Sequence, residues 1–480
     1  MIEGYSSMRR RHFLAITAGA SVGAVASRGP AWATGAPVTL TASPTTAPLV
    51  GGEYPETDVW AYNLSVPGPV IRAKQGDELQ VSFENGLSEP STIHWHGLRV
   101  PVEQDGVPYF SQGPVAPGES HLYTLPLEDA GTFWYHPHVN SSEQVGRGLS
   151  GVLIVEEPPA VAARLGADRE IVWAIDDWRL GEAAQIEPFG NRHDASHGGR
   201  FGNFVTVNGR QELNEPVRAG ERIRLRLVNL ANAQFFSLRF QPLDPWLVAL
   251  DGHPIEPVKL GDGGVWLGPG QRADLVVDID LEPGAYVEVL DTAYGEERAR
   301  AIMGWKVSEA EPLRHGAQPA PAALPANPLP LPDWTTAEKH HLVFEGGAMG
   351  GMTQAMMDGR MLDMRALVEA GRFWAINGSV PDDIKATPPL LDLKLGKSHI
   401  VTLENRTRWV HPIHLHGHSF WVSDPRLPDG SPKVVRDTVL MAPEEITEIA
   451  FVADNPGRWM MHCHVLEHQG SGMMGTVEVG

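Results

Sequence analysis

The chain has 480 residues, with 59 acidic side chains against 38 basic ones and a net charge of −21, a balance that argues against nucleic acid or an anionic membrane as a partner. Its single cysteine excludes an intramolecular disulfide and leaves a free thiol or a metal ligand. With 51 glycines, 40 prolines and many short alternating runs, the composition points to an all-β architecture.

The N-terminus reads as a targeting segment. Arg9-Arg10-Arg11-His12-Phe13-Leu14 is a basic region of twin-arginine type, followed by an apolar stretch to Ala26 and a small-x-small cleavage site at Ala31-Trp32-Ala33. The apolar run is shorter than the roughly 20 residues a membrane helix needs, and no later stretch could span a bilayer, so no membrane insertion is expected. Residues 1–33 are expected to be a removed leader directing export by the twin-arginine route, to the periplasm or beyond. They carry four arginines and one glutamate, so their loss moves the charge from −21 to −24.

Beyond the leader one pattern occurs three times. Gly76 is followed by Leu79, Val81, Phe83 and Asn85; Gly220 by Ile223, Leu225, Leu227 and Asn229; Gly396 by His399, Val401, Leu403 and Asn405. Each is a half-buried strand entered by a turn, and a glycine turn lies upstream of each, at Pro67-Gly68, Asn208-Gly209 and Asn377-Gly378. Three equivalent β-sandwich domains follow. The expected layout is a first domain at 34–158, a second at 159–310, a proline-rich connector at 311–334 and a third domain at 335–480. Short helices are expected near Ala160 to Leu165 and Leu362 to Ala370.

The copies differ in chemistry. His94-Trp95-His96 begins nine residues past Asn85 and His414-Leu415-His416 nine past Asn405, but the middle copy has Leu238 and Phe240 there. Five residues past Gly131 stands His136-Pro137-His138, and five past Gly457 stands His462-Cys463-His464. The first and third domains are therefore expected to carry metal and the second to be a spacer without metal.

The stretch from Trp459 to Met473 organises the rest. On a strand, Cys463 points to one face while His462 and His464 point to the other, so two metal sites flank one backbone segment on the order of 10 Å apart. One cysteine, two histidines and a long axial methionine form a blue-copper ligand set. Cys463, His468 and Met473 supply three members, and His411, three residues before the third pair, can face away from that pair and supply the fourth. Eight imidazoles remain, enough for three ions at two or three each.

These four histidine stretches resemble the signature of three-domain multicopper oxidases, the family of laccases and bacterial periplasmic copper-efflux oxidases. The resemblance implies three cupredoxin-like Greek-key β-sandwich domains and four copper ions. It implies type 1 copper on His411, Cys463, His468 and Met473, and type 2 copper on His94 and His414. The type 3 pair would lie on His96, His136, His138, His416, His462 and His464. Electrons from a phenol, an aromatic amine or a metal ion such as Cu(I) would enter at the exposed edge of His468, pass along Cys463, and reduce dioxygen to water at the cluster. Met473 implies a type 1 potential lower than with Leu or Phe in its place.

Dioxygen reduction also consumes protons. Bacterial relatives commonly carry an Asp eleven residues past the first histidine, here Asp105, and a Glu after the second type 1 histidine, here replaced by Gln469. Asp105 is therefore the expected proton relay, with Glu467 or ordered water as a substitute route. Two other functions stand beside this one: a cuprous oxidase dedicated to copper tolerance, which would use Met349, Met352, Met356, Met357, Met361 and Met364 to bind Cu(I), and a non-enzymatic cupredoxin scaffold. His193, His197, His315, His340 and His341 read as surface or core histidines.

Overall fold

A computed structural model describes residues 31–32, 36–211, 215–428 and 431–480. The expected leader therefore lies outside the described residues except for Ala31–Trp32, which pair parallel with Ile71 and Arg72. Strand accounts for 44% of the structure and helix for 9%, as an all-β reading requires. Among the described residues no helix is long and apolar enough to cross a membrane.

The three-fold repeat is a repeat of topology. The strand Glu78–Asn85 lies parallel to Val38–Ala47 and antiparallel to Ser120–Pro126. Arg222–Asn229 lies parallel to Arg169–Trp178 and antiparallel to Arg272–Asp278. Ser398–Asn405 lies parallel to Glu338–Gly346 and antiparallel to Ile446–Val452. In each unit a second sheet packs across these strands, and the alternating apolar residues fill the space between. Leu79, Val81 and Phe83 are buried in the first unit, and Ile223, Leu225 and Leu227 in the second.

The repeated asparagine has a defined task. Asn85 accepts from the N–H of Leu87 and donates to the carbonyls of Glu89 and Val115. Asn229 does the same with Ala231, Gln234 and Leu267, and Asn405 with Thr407, Trp409 and Ala442. Each side chain satisfies backbone groups that a buried loop would otherwise leave unpaired. The upstream turns need one correction. Asn208 and Asn377 sit at φ 52° and 51° and clasp the first strand of their units. In the first unit Asn63, at φ 54°, makes the matching bonds to Thr41 and Thr39, so it and not Pro67-Gly68 is the equivalent. Asn tolerates the left-handed region well enough to turn the chain without a following glycine.

The middle strand departs from its copies in one respect: all of Arg222–Asn229 is buried. Two of its outward arginines, Arg224 and Arg226, reach the first unit at Glu157 and Thr132. Arg224 pairs with Glu157 and Asp274, and Arg226 with Asp274 and Glu170. Residues 311–334 form no regular element, but Asn327 bonds both main-chain groups of Ala130 and reaches Gly252, tying the connector to the first two units. Short helices occur at Pro159–Ala162 and Met364–Glu369, the second capped by Asp363 on the N–H of Ala366.

Candidate metal centres

The histidine pairs meet because of strand register. His94 lies opposite His136 on antiparallel strands, and His414 opposite His462. Both strand pairs belong to the second sheets of their units, and the two sheets bring their histidines to one buried space. Three groups form there with ligand atoms close enough to share an ion: His94, His96 and His414; His96, His136 and His464; and His138, His416 and His462. All eight histidines are buried, His138 the least completely.

The outer nitrogens of this cluster are anchored. The Nδ1 of His94 donates to the Asp105 carbonyl at 2.8 Å, that of His414 to the Asp437 carbonyl at 2.9 Å, and that of His462 to the Cys463 carbonyl at 2.9 Å. His136 Nδ1 reaches the Pro137 carbonyl at 3.1 Å, and His416 Nδ1 donates to Asp105 Oδ2 at 2.9 Å. Such bonds fix ring orientation and leave the other nitrogen as a lone-pair donor. The Nε2 atoms of His94, His136, His138 and His414 are buried without a hydrogen-bond partner, as are both ring nitrogens of His464. The Nε2 atoms of His416 and His462 face each other at 3.0 Å although both rings already donate elsewhere. Lone pairs converging in a dry space suit a cation, so the residues fit copper. Burial, and then the neighbouring imidazoles, hold His96, His138, His414 and His416 well below the usual histidine range, which keeps them neutral and able to ligate.

The second site lies on the other face of Gly457–Cys463. Cys463 Sγ stands 3.4 Å from His411 Nδ1 and 3.6 Å from His468 Nδ1, with the two nitrogens 3.1 Å apart. Each histidine turns its other nitrogen outward: His411 Nε2 meets Thr407 Oγ1 at 2.7 Å, and His468 Nε2–H donates to the His197 carbonyl at 2.6 Å. Met473 is buried in the same core cluster as Cys463. Burial pushes the Cys463 thiol up, and a bound metal would reverse that by taking the thiolate.

One expectation fails here. His468 has no exposed edge; its relative exposure is 0%. A segment of the middle unit around the helix Arg192–Ser196 crosses over it, and Trp374 packs on its ring at 4.2 Å. Glu467 is also directed away from the cluster's anchoring bonds. Its carboxylate accepts from the Arg200 N–H and from Asn232 Nδ2, both in the middle unit. Asp105, in contrast, is buried against His94 and His416, with Oδ1 lacking a hydrogen bond.

Three residues went unnoticed in the sequence. Asp437 Oδ1 lies 3.1 Å from His96 Nε2, and its carboxylate forms a bidentate pair with the fully buried Arg272 of the middle unit, at 2.9 and 2.5 Å. Gly270, at φ 83°, lets the same segment approach the cluster, since a Cβ there would fall 2.9 Å from the His464 ring. The middle unit is thus a buttress as well as a spacer. The sequence did hold a signal for its buried charge: arginines at 222, 224 and 226 alternate with apolar residues on a core strand.

Comparison with known proteins agrees with this chemistry. Residues 44–160, 169–304 and 358–480 each match a family described as multicopper oxidase. The multi-copper oxidase of Pseudomonas thermotolerans shares 38% identity and a TM-score of 0.77, over 94% of this chain and all of that one. A multicopper oxidase of Campylobacter jejuni, described as a metallo-oxidase, shares 28% identity and a TM-score of 0.73 over 92% of this chain and 90% of that one. MmcO of Mycobacterium tuberculosis, a multicopper oxidase, is 29% identical over 92% of this chain and 86% of its own length. A cysteine-histidine type 1 pocket, histidine groups of trinuclear character and likeness over nearly the whole chain lead to one conclusion: this is a laccase-like copper oxidoreductase that passes electrons from a reducing substrate to dioxygen, and the chain belongs to the multicopper oxidase family.

Proposed function

We propose that four copper ions are held as the motifs imply. Type 1 copper would take His411, Cys463, His468 and Met473, type 2 would take His94 and His414, and the type 3 pair would take His96, His136, His138, His416, His462 and His464. The observation that carries this is the set of converging, unpartnered imidazole nitrogens, those of His94, His136 and His414 being backed by a hydrogen bond on the opposite side of the ring. Copper, when bound, supplies one-electron redox chemistry at Cys463 and the centre at which dioxygen takes up four electrons. The protein's share is connection and position. Cys463 is bonded through one main-chain step to His462 and to His464, so the two sites share a short covalent route.

Asp105 is proposed as the proton relay. Its Oδ2 accepts from His416, and its Oδ1, which lies 3.2 Å from His94 Nδ1 without a hydrogen bond, can hold a proton beside the cluster. Gln469, buried next to His468, is an amide and cannot take that part. The proposed division of the chain remains 34–158, 159–310, 311–334 and 335–480, and the twin-arginine motif supports export of the mature protein.

The reductant is proposed to be a phenol, an aromatic amine or Cu(I). Three methionines of the 349–364 segment, Met352, Met357 and Met364, pack against a small core with Leu367 and Val380, while Met349, Met356 and Met361 stand exposed. Copper analysis with visible and electron paramagnetic resonance spectra tests the assignment. Four coppers per chain with a blue thiolate band are expected; a colourless protein with full copper would sink the type 1 site.

A further inference from the structure

Two aspartates hold the histidine cluster, each reaching across to the other's unit. Asp105 of the first unit accepts from His94 of the same unit with its main-chain carbonyl, at 2.8 Å, and from His416 of the third unit with Oδ2, at 2.9 Å. Asp437 of the third unit mirrors this. Its carbonyl accepts from His414 of the same unit at 2.9 Å, and its Oδ1 accepts from His96 of the first unit at 3.1 Å. The two rings on each aspartate also stack on one another, His94 on His416 with centroids 3.9 Å apart and His96 on His414 with centroids 3.8 Å apart. The cluster thus contains two matching cross-unit ring pairs, each hung from one aspartate.

The aspartates differ in what holds them. Asp105 Oδ1 makes no hydrogen bond. Asp437 Oδ1 accepts from the Thr438 hydroxyl at 2.8 Å, and both of its carboxylate oxygens accept from Arg272. Thr438 Oγ1 lies 3.2 Å from His96 Nε2 and 3.2 Å from His414 Nδ1. A hydroxyl has one donor and two lone pairs, so this one is fully used: its hydrogen on the carboxylate, its lone pairs on two imidazole N–H groups. The other nitrogens of those rings, His96 Nδ1 and His414 Nε2, are buried without a partner. Gln271 Nε2–H donates to the Thr438 carbonyl at 2.9 Å, and Gln271 Oε1 accepts from the Gly268 N–H at 2.9 Å. All four of Gln271, Arg272, Asp437 and Thr438 are buried. The middle unit, which supplies none of the proposed ligands, therefore grips the third unit at two successive residues beside the cluster.

We propose that Thr438 is a positioning residue of the cluster, fixing His96 and His414 as one body, and that Gln271 and Arg272 make the middle unit a determinant of their geometry. His96 is common to two of the groups able to share an ion, one with His94 and His414 and the other with His136 and His464. Its orientation therefore bears on both at once. Through a single oxygen atom Thr438 couples this shared ring to His414, a proposed type 2 ligand, and hydrogen bonds to the outer nitrogen of a ligating imidazole set its orientation and its strength as a ligand. His94 and His416 have no such hydroxyl among the described residues, so their pair hangs from Asp105 alone. One ring pair is clamped by three units and the other by two. The role of Thr438 rests on the proposed assignment of His94 and His414 to type 2 copper.

Copper-loaded wild type is compared with Thr438→Val, which keeps the shape of the side chain without its hydroxyl, and with Thr438→Ser, which keeps the hydroxyl. The readouts are the type 2 paramagnetic resonance signal and the copper removed by a chelator. In Thr438→Val the affinity for type 2 copper should fall about 10- to 100-fold, the scale on which loss of a ligand's hydrogen-bond partner acts, and the type 2 hyperfine splitting should shift. Thr438→Ser should restore both, and the blue band should keep its wild-type intensity throughout. Gln271→Met, which removes the amide donor of the middle unit, should shift the signal in the same direction by less, and it decides the matter if Thr438→Val does not fold. Wild-type copper affinity and signal in Thr438→Val overturn the proposal, as does an equal loss of copper in Thr438→Ser, which would make the residue packing only. An unmoved signal in Gln271→Met overturns the part given to the middle unit. A wild-type enzyme without a type 2 signal would instead sink the copper assignment beneath it.

Discussion

The two metal pockets are built in opposite ways. The type 1 pocket draws every proposed ligand from residues 411–473 and is held by bonds inside the third unit, apart from the middle-unit strap around the helix Arg192–Ser196 that roofs it. The histidine cluster is shared. His416 of the third unit leans on Asp105 of the first, His96 of the first on Asp437 of the third, and Arg272 of the middle unit braces Asp437. One pocket is a property of a domain and the other of an assembly. Mutations should therefore uncouple them.

The largest effect belongs to Cys463→Ser. All blue absorbance and substrate oxidation should vanish while most histidine-bound copper stays, as read by copper analysis and paramagnetic resonance. Retained blue colour would refute the pocket, since no other thiolate exists to replace it. Arg272→Met should break the comparison from the other side. It strands a buried Asp437 carboxylate at a cost of about 3–5 kcal/mol, so melting should fall and cluster copper should be lost preferentially. A Cys463 band lost in step with cluster copper would mean the pockets are not independent.

Asp105→Asn acts within the cluster alone. Reduction of the blue band by substrate should keep its rate, and reoxidation by dioxygen should slow; unchanged reoxidation across the pH range would move the relay elsewhere. A pH test of the metal-free protein sharpens the picture. Burial lowers His253 to about 4, His462 to about 4 and His468 to about 3, from an ordinary 6.5. As pH falls, the unfolded chain takes up these protons first, so the stability they contribute is full above about 6.5 and declines down to about 3. Thermal melts over that window should show the decline, with copper-loaded protein resisting it better because copper holds the neutral rings. The smallest effect is expected from replacing Met349, Met352, Met356 and Met357 together by Leu: phenol oxidation should survive, and any loss should be confined to Cu(I).

The ligands themselves were legible in the sequence because they sit at fixed offsets from a repeated strand, and strand register converts offset into position. The fold was legible for the same reason: Gly-to-Asn spacing marks one strand three times. What was hidden belongs to contacts between copies. Nothing local ties Arg272 to Asp437, which are 165 residues apart. The strap over His468 lies between regular strands of the middle unit and follows no repeat, so its histidines looked scattered and His468 looked open. Asn63 was missed because the turn there lacks the glycine that marks its counterparts.

The long reach of the cluster contacts also sets an order of assembly. Apart from the strap bond of His468, the bonds of the type 1 pocket span 57 residues or fewer within the chain, whereas Asp105–His416 and His96–Asp437 span 311 and 341. Contacts so distant close late, after the units that carry them have folded. A nascent or truncated chain can therefore complete a blue site before it can hold a cluster, and maturation of the enzyme should pass through a coloured form that does not yet consume dioxygen.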